Sequence, residues 1–146
     1  MAVTSTPIFP QAPYNAVADL SAVTACSTRG PTATAGLAAA NIVALVGTST
    51  NGRKIDKITV KASSTSITAP TASQLVGIWY HDGTKAYLLM EIQVDLVTPS
   101  TTSPAFEREV PVNIALPSTH SLYASTTITT TASTTALTVH AAGGDY

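Results

Sequence analysis

Short apolar runs, separated by Gly, Pro, Ser, Thr and Asn, follow one another along most of the chain. In the clearest run, 54–62, Asp56 and the apolar residues at 58, 60 and 62 alternate with polar residues at 57, 59 and 61. A period of two residues predicts a β-strand with one face buried and the other in water. Asp82-Gly83, between two further runs, predicts a short hairpin turn.

Eight such runs predict eight β-strands. The alanines of 37–46 would also suit a helix, but its ending at 42–46, Ile-Val-Ala-Leu-Val, favours a strand. Pro111 is expected to end or interrupt the run at 105–112. Short strands at regular spacing predict a sandwich or barrel, and eight strands in two sheets is the number in a jelly roll. We therefore predict an all-β fold, an eight-stranded antiparallel β-sandwich that is jelly-roll-like, with strands over 17–26, 37–46, 54–62, 75–81, 85–97, 105–112, 121–127 and 134–142.

The first 14 residues differ from the rest of the chain. Their prolines stand three residues apart, which excludes a helix and favours an extended conformation. We predict an extended N-terminal arm over residues 1–14, followed by a single sandwich domain over 15–146. Deleting the arm is expected to weaken docking onto a partner and to leave the sandwich folded. The arm residues predicted to contact a partner are Pro7, Ile8, Phe9, Pro10 and Tyr14.

Composition narrows the possible functions. The chain has 146 residues, which suits one domain, and only 10% of them are charged, against the usual ~25%. A net charge of −1 gives no basic excess for binding phosphates, so we expect no nucleic-acid partner. The sequence offers neither a signal peptide nor an apolar stretch long enough to span a membrane, so we expect synthesis in a cytosol.

Charge is also unevenly placed. Residues 30–52 and 110–144 contain no Asp, Glu, Lys or Arg. A neutral surface rich in Ser and Thr suits contact with other protein and carries few charges to oppose association. We therefore predict a homo-oligomer or a docked subunit.

No motif carries recognisable catalytic chemistry. His81, Asp82 and Glu91 could be drawn as a metal site, but their spacing matches no known pattern, and turn formation explains Asp82. Glu107 and Glu109 share a strand face, where a solvated face is the better interpretation than acid–base work. His120 and His140 lack a nucleophile motif, and the loop at 47–54 departs from the phosphate-loop pattern. We predict no enzyme activity, no metal and no cofactor.

Several short segments together resemble a family of small proteins encoded by tailed bacteriophages and prophages. They include 6–10 (TPIFP), 52–58 (GRKIDKI), 80–84 (YHDGT) and 143–146 (GGDY). The resemblance implies a virion structural protein of the capsid decoration, or cement, type. It implies a homotrimer on the capsid surface that binds the major capsid protein and is made in the host bacterial cytoplasm.

Two other functions remain open. A tail- or fibre-associated module binding host-surface glycans would be favoured by exposed aromatic residues clustered in loops. Trp79 and Tyr80 are neighbours on one strand and so face opposite ways, which leaves one of them available for a surface. A small jelly-roll enzyme would need His residues near carboxylates on inward strand faces, and the three His at 81, 120 and 140 are spread along the chain.

Overall fold

Nine β-strands in two antiparallel sheets make up a computed structural model that describes residues 9–33 and 41–146. No helix occurs within those two ranges. The predicted all-β sandwich of eight antiparallel strands is confirmed, and a ninth strand, β2, has only two residues. The strands are β1 (Ala12–Asp19), β2 (Thr32–Ala33), β3 (Val43–Val46), β4 (Arg53–Ala62), β5 (Gln74–His81), β6 (Lys85–Val94), β7 (Glu107–Leu116), β8 (Ser121–Thr126) and β9 (Leu137–Asp145).

The strands pair as a nested series. β5 pairs with β6, β4 with β7, β3 with β8 and β1 with β9, all antiparallel. The chain thus turns back on itself once, between β5 and β6, and each earlier strand meets its counterpart on the return. The strand pairs are divided between two sheets. Sheet A has the order β1-β9-β4-β7, and sheet B has the order β2-β6-β5-β8-β3. Nested pairs divided in this way between two sheets form a jelly roll.

The turn at the centre of this series is the predicted Asp82-Gly83 hairpin. The Asp82 carboxylate accepts hydrogen bonds from the backbone N–H of Thr84 and of Lys85, each at 2.8 Å. Gly83 has φ +94°, which a residue with a side chain rarely adopts. The hairpin prediction is confirmed.

The main core lies between the two sheets. Its largest fully buried apolar side chains come from both sheets and from the residue after β1, and burying each contributes roughly 1.5–3 kcal/mol. They include Leu20, Ile55, Ile58, Ile78, Leu116, Leu122 and Leu137.

A second, smaller core lies on the outer face of sheet B. Trp79 is 1% exposed there and packs with Cys26, Ile42 and Ala86. Cys26 and Ile42 belong to the described parts of the connection between β1 and β3, and these parts cover the outer face of the sheet at Trp79. Sheet B is therefore buried on both faces around Trp79.

The first strand differs from its prediction. β1 begins at Ala12, whereas 17–26 was expected, so the arm ends at Gln11 and Tyr14 belongs to the sandwich. Pro13 is compatible with this strand because β1 lies at the edge of sheet A, where a missing N–H is tolerated. Asp19 ends the strand by accepting a hydrogen bond from the backbone N–H of Ser21 at 2.9 Å.

Two further strands have other bounds than predicted. β3 is shorter than the run 37–46, of which residues 37–40 lie outside the described residues. β7 continues through Pro111 to Leu116, so Pro111 does not end this strand, but the expected interruption is present, because the register with β4 shifts between Pro111 and Ile114. β7 pairs only with β4, and its other edge is free to accommodate a residue without an N–H.

Alternation in β4 is interrupted at Asp56. Ile58 and Val60 are buried as predicted, but Asp56 is exposed. A β-bulge at this residue shifts the register with both neighbouring strands. The bulge allows Ile55 and Ile58, three residues apart, to enter the same core.

Sheet A requires a glycine at position 143. A Cβ there would overlap the carbonyl oxygen of Lys54 in the neighbouring strand. We expect Gly143→Ala to force β9 away from β4 and to lower the free energy of unfolding by about 2–3 kcal/mol. Gly47→Ala is the matched control, because nothing lies within 4 Å of a Cβ at that position. Urea unfolding measures both, and equal stabilities would contradict the close packing of β9 on β4.

Candidate functional site

Most charges of this protein are neutralised within the chain. Six of the seven Lys and Arg residues form ion pairs with N–O distances between 2.6 and 3.1 Å. Exposed pairs of this kind contribute little to stability, but they leave few unpaired charges on the surface. The pairs are Arg29–Glu91, Arg53–Asp145, Lys54–Asp56, Lys57–Glu109, Lys61–Glu107 and Arg108–Asp95.

The connections after β4, β6 and β8 lie at one end of the sandwich, and Asp95, which is paired with Arg108, is their only charged residue. The segments 63–73, 96–105 and 127–136 follow β4, β6 and β8, and we call them together the loop end. Ser and Thr account for 19 of their 31 residues, and none is charged. The charge-free stretch noted in the sequence at 110–144 contributes one of the three loops.

Hydrogen bonds join the three loops to one another. Ser63 and Thr65 donate their backbone N–H to loop 127–136, to Ala136 and Ala132, at 3.0 Å each. On the other side, Thr71 donates its backbone N–H to the carbonyl of Val97 in loop 96–105 at 2.9 Å. Loop 63–73 is therefore held from both sides. A surface ordered in advance loses less conformational entropy when a partner binds.

A groove of about 470 Å³ crosses the loop end between residues 62–69 and 99–105. Its lining is entirely uncharged, and Ile67 on its wall is 69% exposed. Leu96, in the second loop, is 67% exposed. Large apolar side chains exposed within a neutral, preformed surface are typical of a protein-binding surface.

The arm leaves the sandwich at the opposite end. Gln11 donates its backbone N–H to the carbonyl of Asp145 at 2.7 Å, beside the start of β4. Phe9 is 69% exposed and Pro10 is exposed beside Gly144. Pro7 and Ile8 lie outside the described residues. The roles of these arm residues as partner contacts stay predictions.

Tyr14 is engaged within its own sandwich. The guanidinium carbon of Arg53 lies 3.8 Å from the centre of the Tyr14 ring, and Arg53 Nε lies 2.8 Å from an Asp145 carboxylate oxygen. Arg53 is only 7% exposed, so its positive charge depends on these two neighbours. The three residues come from β1, β4 and β9 and hold these strands together where the arm begins. No short-range pattern signals this contact, because the three positions are far apart along the chain.

The residues that the sequence suggested for a metal site do not come together in the structure. The described part of the chain contains no group of three or more His, Cys, Asp and Glu placed to hold a metal ion. In the β5–β6 pair, Glu91 lies opposite Gly77, while His81 lies opposite Ala86 at the far end. Glu91 is instead paired with Arg29.

The remaining histidines lie in separate surroundings. The Tyr80 hydroxyl and His120 Nδ1 form a hydrogen bond, and burial raises the pKa of Tyr80. His140 is on the outer face of sheet A, 3.2 Å from the Thr138 hydroxyl. Glu107 and Glu109 are also on that face, and each is paired with a lysine of β4. This arrangement matches the solvated strand face expected for these carboxylates.

The fold belongs to the class of antiparallel jelly-roll sandwiches. No protein-family model, curated protein or solved structure matches this chain. Across the two described ranges, no helical segment combines the length and hydropathy that crossing a bilayer requires.

The hairpin at Asp82 has a testable pH dependence. Hydrogen bonds from the backbone N–H of Lys85 and Thr84 hold the pKa of the Asp82 carboxyl below its ordinary value. Because the folded-state pKa is the lower one, this carboxylate stabilises the fold above the unfolded-state pKa of about 4, and the effect is lost as pH falls through the folded value. Asp82→Asn should therefore lower Tm at neutral pH, by a difference that shrinks below about pH 4. Thermal unfolding from acid to neutral pH measures this, and a pH-independent difference would contradict it.

Proposed function

We propose that this protein is a bacteriophage virion structural protein, a capsid decoration protein that binds the assembled head and stabilises contacts between capsid subunits. The sequence resemblance to small phage proteins supports this function. The structural observation that carries it is the loop end, a neutral and preformed surface with two exposed apolar side chains, Ile67 and Leu96.

A neutral surface suits permanent docking. Binding at the loop end buries no unpaired charge, so the large desolvation cost of an isolated ion does not arise. Burying an exposed aliphatic side chain contributes roughly 1.5–3 kcal/mol, and the surrounding hydroxyl groups can hydrogen bond to a partner backbone. Each copy therefore adds a modest free energy to the shell.

Many modest contributions stabilise a shell by mass action. A protein that binds the assembled form, and not the separate subunits, shifts the equilibrium toward assembly. In this proposal the partners are the major capsid protein and further copies of this chain, as a homotrimer on the capsid surface. The role uses no reactive group and no cofactor.

Binding to capsids that lack the protein tests the proposal. We expect saturable cosedimentation at hundreds of copies per shell, with a trimeric mass in solution by light scattering. Because the proposed surface is neutral, Kd should change by no more than about twofold between roughly 0.05 and 0.5 M salt. Failure to bind shells would reject the decoration function, and a steep loss of affinity with salt would reject docking through a neutral surface.

Two changes distinguish the two ends of the molecule. Ile67→Lys places a charge in the groove, and we expect it to weaken shell binding at least tenfold, since an unpaired charge would be buried. Leu89→Lys is the matched control, a partly exposed leucine on β6 outside the loop end. Deleting residues 1–8 tests the arm, and this deletion stops before Gln11 because Gln11 is bonded to Asp145. If Ile67→Lys and Leu89→Lys bind equally well, the loop end is not the docking surface. If the deletion binds as the full chain does, the arm contributes nothing.

A further inference from the structure

A second cavity lies on the outer face of sheet B, away from the loop-end groove. It is a cleft of about 230 Å³ between β5, β6 and β8 and the segment 26–29 that crosses them. This volume is below the ~300–1,000 Å³ of pockets for drug-sized ligands, so it suits a ligand of one ring.

The floor of the cleft combines an apolar surface with a buried hydroxyl. Gly77 and Leu88 form it above the buried Trp79 ring, and the Trp79 indole N–H donates to Ser125 Oγ at 2.8 Å. Ser125 is 3% exposed. An indole N–H can only donate, so the Ser125 oxygen accepts this bond and its own proton is left to donate into the cleft.

Gly77 keeps this floor open. A Cβ at this position would lie 2.8 Å from Ser125 Oγ and 3.2 Å from a methyl carbon of Leu88. Any side chain here would fill the space in front of the Ser125 hydroxyl.

An ion pair stands at the rim. Arg29 Nε donates to a Glu91 carboxylate oxygen at 2.8 Å, and both side chains line the cleft. Arg29 supplies several N–H donors and Glu91 several acceptor sites. Thr127, also in the lining, accepts the backbone N–H of Leu75 through its hydroxyl, whose proton is left to donate.

We propose that this cleft binds a single neutral sugar ring. Neighbouring hydroxyls of a sugar both donate and accept, which matches an arginine and a carboxylate held side by side. The C–H face of the ring would lie on the floor at Gly77 and Leu88, with the Ser125 hydroxyl donating to a ring substituent. The neutralised rim favours an uncharged sugar over an anionic one. This binding site lies apart from the loop end and does not depend on the proposed capsid function.

The chain carries its own reporter for this site. Trp79 is the only tryptophan in the sequence, so its fluorescence reports directly on the cleft. Glucose, galactose, mannose and N-acetylglucosamine are the probes, titrated into the full-length protein. We expect at least one to give a saturable change with Kd near 1 mM, as few contacts are made.

Two substitutions locate any binding. Glu91→Gln removes the carboxylate charge with little change of shape and should weaken binding at least fivefold. The control is Glu109→Gln, which removes an ion-paired carboxylate from sheet A and should leave Kd unchanged. Gly77→Ala should abolish binding, with far-UV circular dichroism checking that this variant folds. The proposal is overturned if none of the four sugars gives a saturable change, or if Glu91→Gln binds as tightly as Glu109→Gln.

Discussion

The architecture depends on one constraint, the register of the nested antiparallel pairs. The chain reverses at Asp82-Gly83, and every later strand then pairs with the strand at the mirrored position before the turn. A slip of one residue in any pair would turn its apolar side chains from the core to the solvent. The Asp82 carboxylate, bonded to two backbone N–H groups, fixes the turn from which this pairing proceeds.

Nested pairing also separates the two ends of the sandwich. The connections at the hairpin end are short, with 47–52, 82–84 and 117–120 between their strands. The connections at the other end are long, and they form the loop end. Short connections hold strand register, whereas long connections tolerate change and often carry function. The fold therefore places short connections at one end and the long loops of the loop end at the other.

Local signals in the sequence were sufficient for most strands, but they failed wherever a distant contact decided the outcome. The alternation at 54–62 and the Asp-Gly turn are short-range patterns, and both predicted the structure. The same alternation placed Asp56 on the buried face, because a bulge that depends on two neighbouring strands leaves no trace in a period of two. Trp79 was predicted to face away from Tyr80, but the sequence could not show that residues 20–33 would cover it. The uncharged stretch 110–144 indicated part of the neutral loop end. The groove could not be predicted, because it forms between loops that are distant in sequence.

A protein with so few charges must prevent edge-to-edge association by other means. Charged side chains on edge strands are a common protection, along with proline, bulges and covering contacts. On β7, Pro111 has no N–H to offer a new strand, and Asn113, with φ +49°, disturbs the extended backbone. Arg108 protects the neighbouring edge of sheet B, since its Nη1 donates to the carbonyl of Gln93 on β6 at 2.5 Å and its Nη2 pairs with Asp95 at 2.7 Å. These edge features oppose non-specific strand pairing, while the neutral loop end stays free of charges that would oppose a specific partner. The edges of β7 and β6 are therefore blocked by backbone geometry and by Arg108, with little help from surface charge.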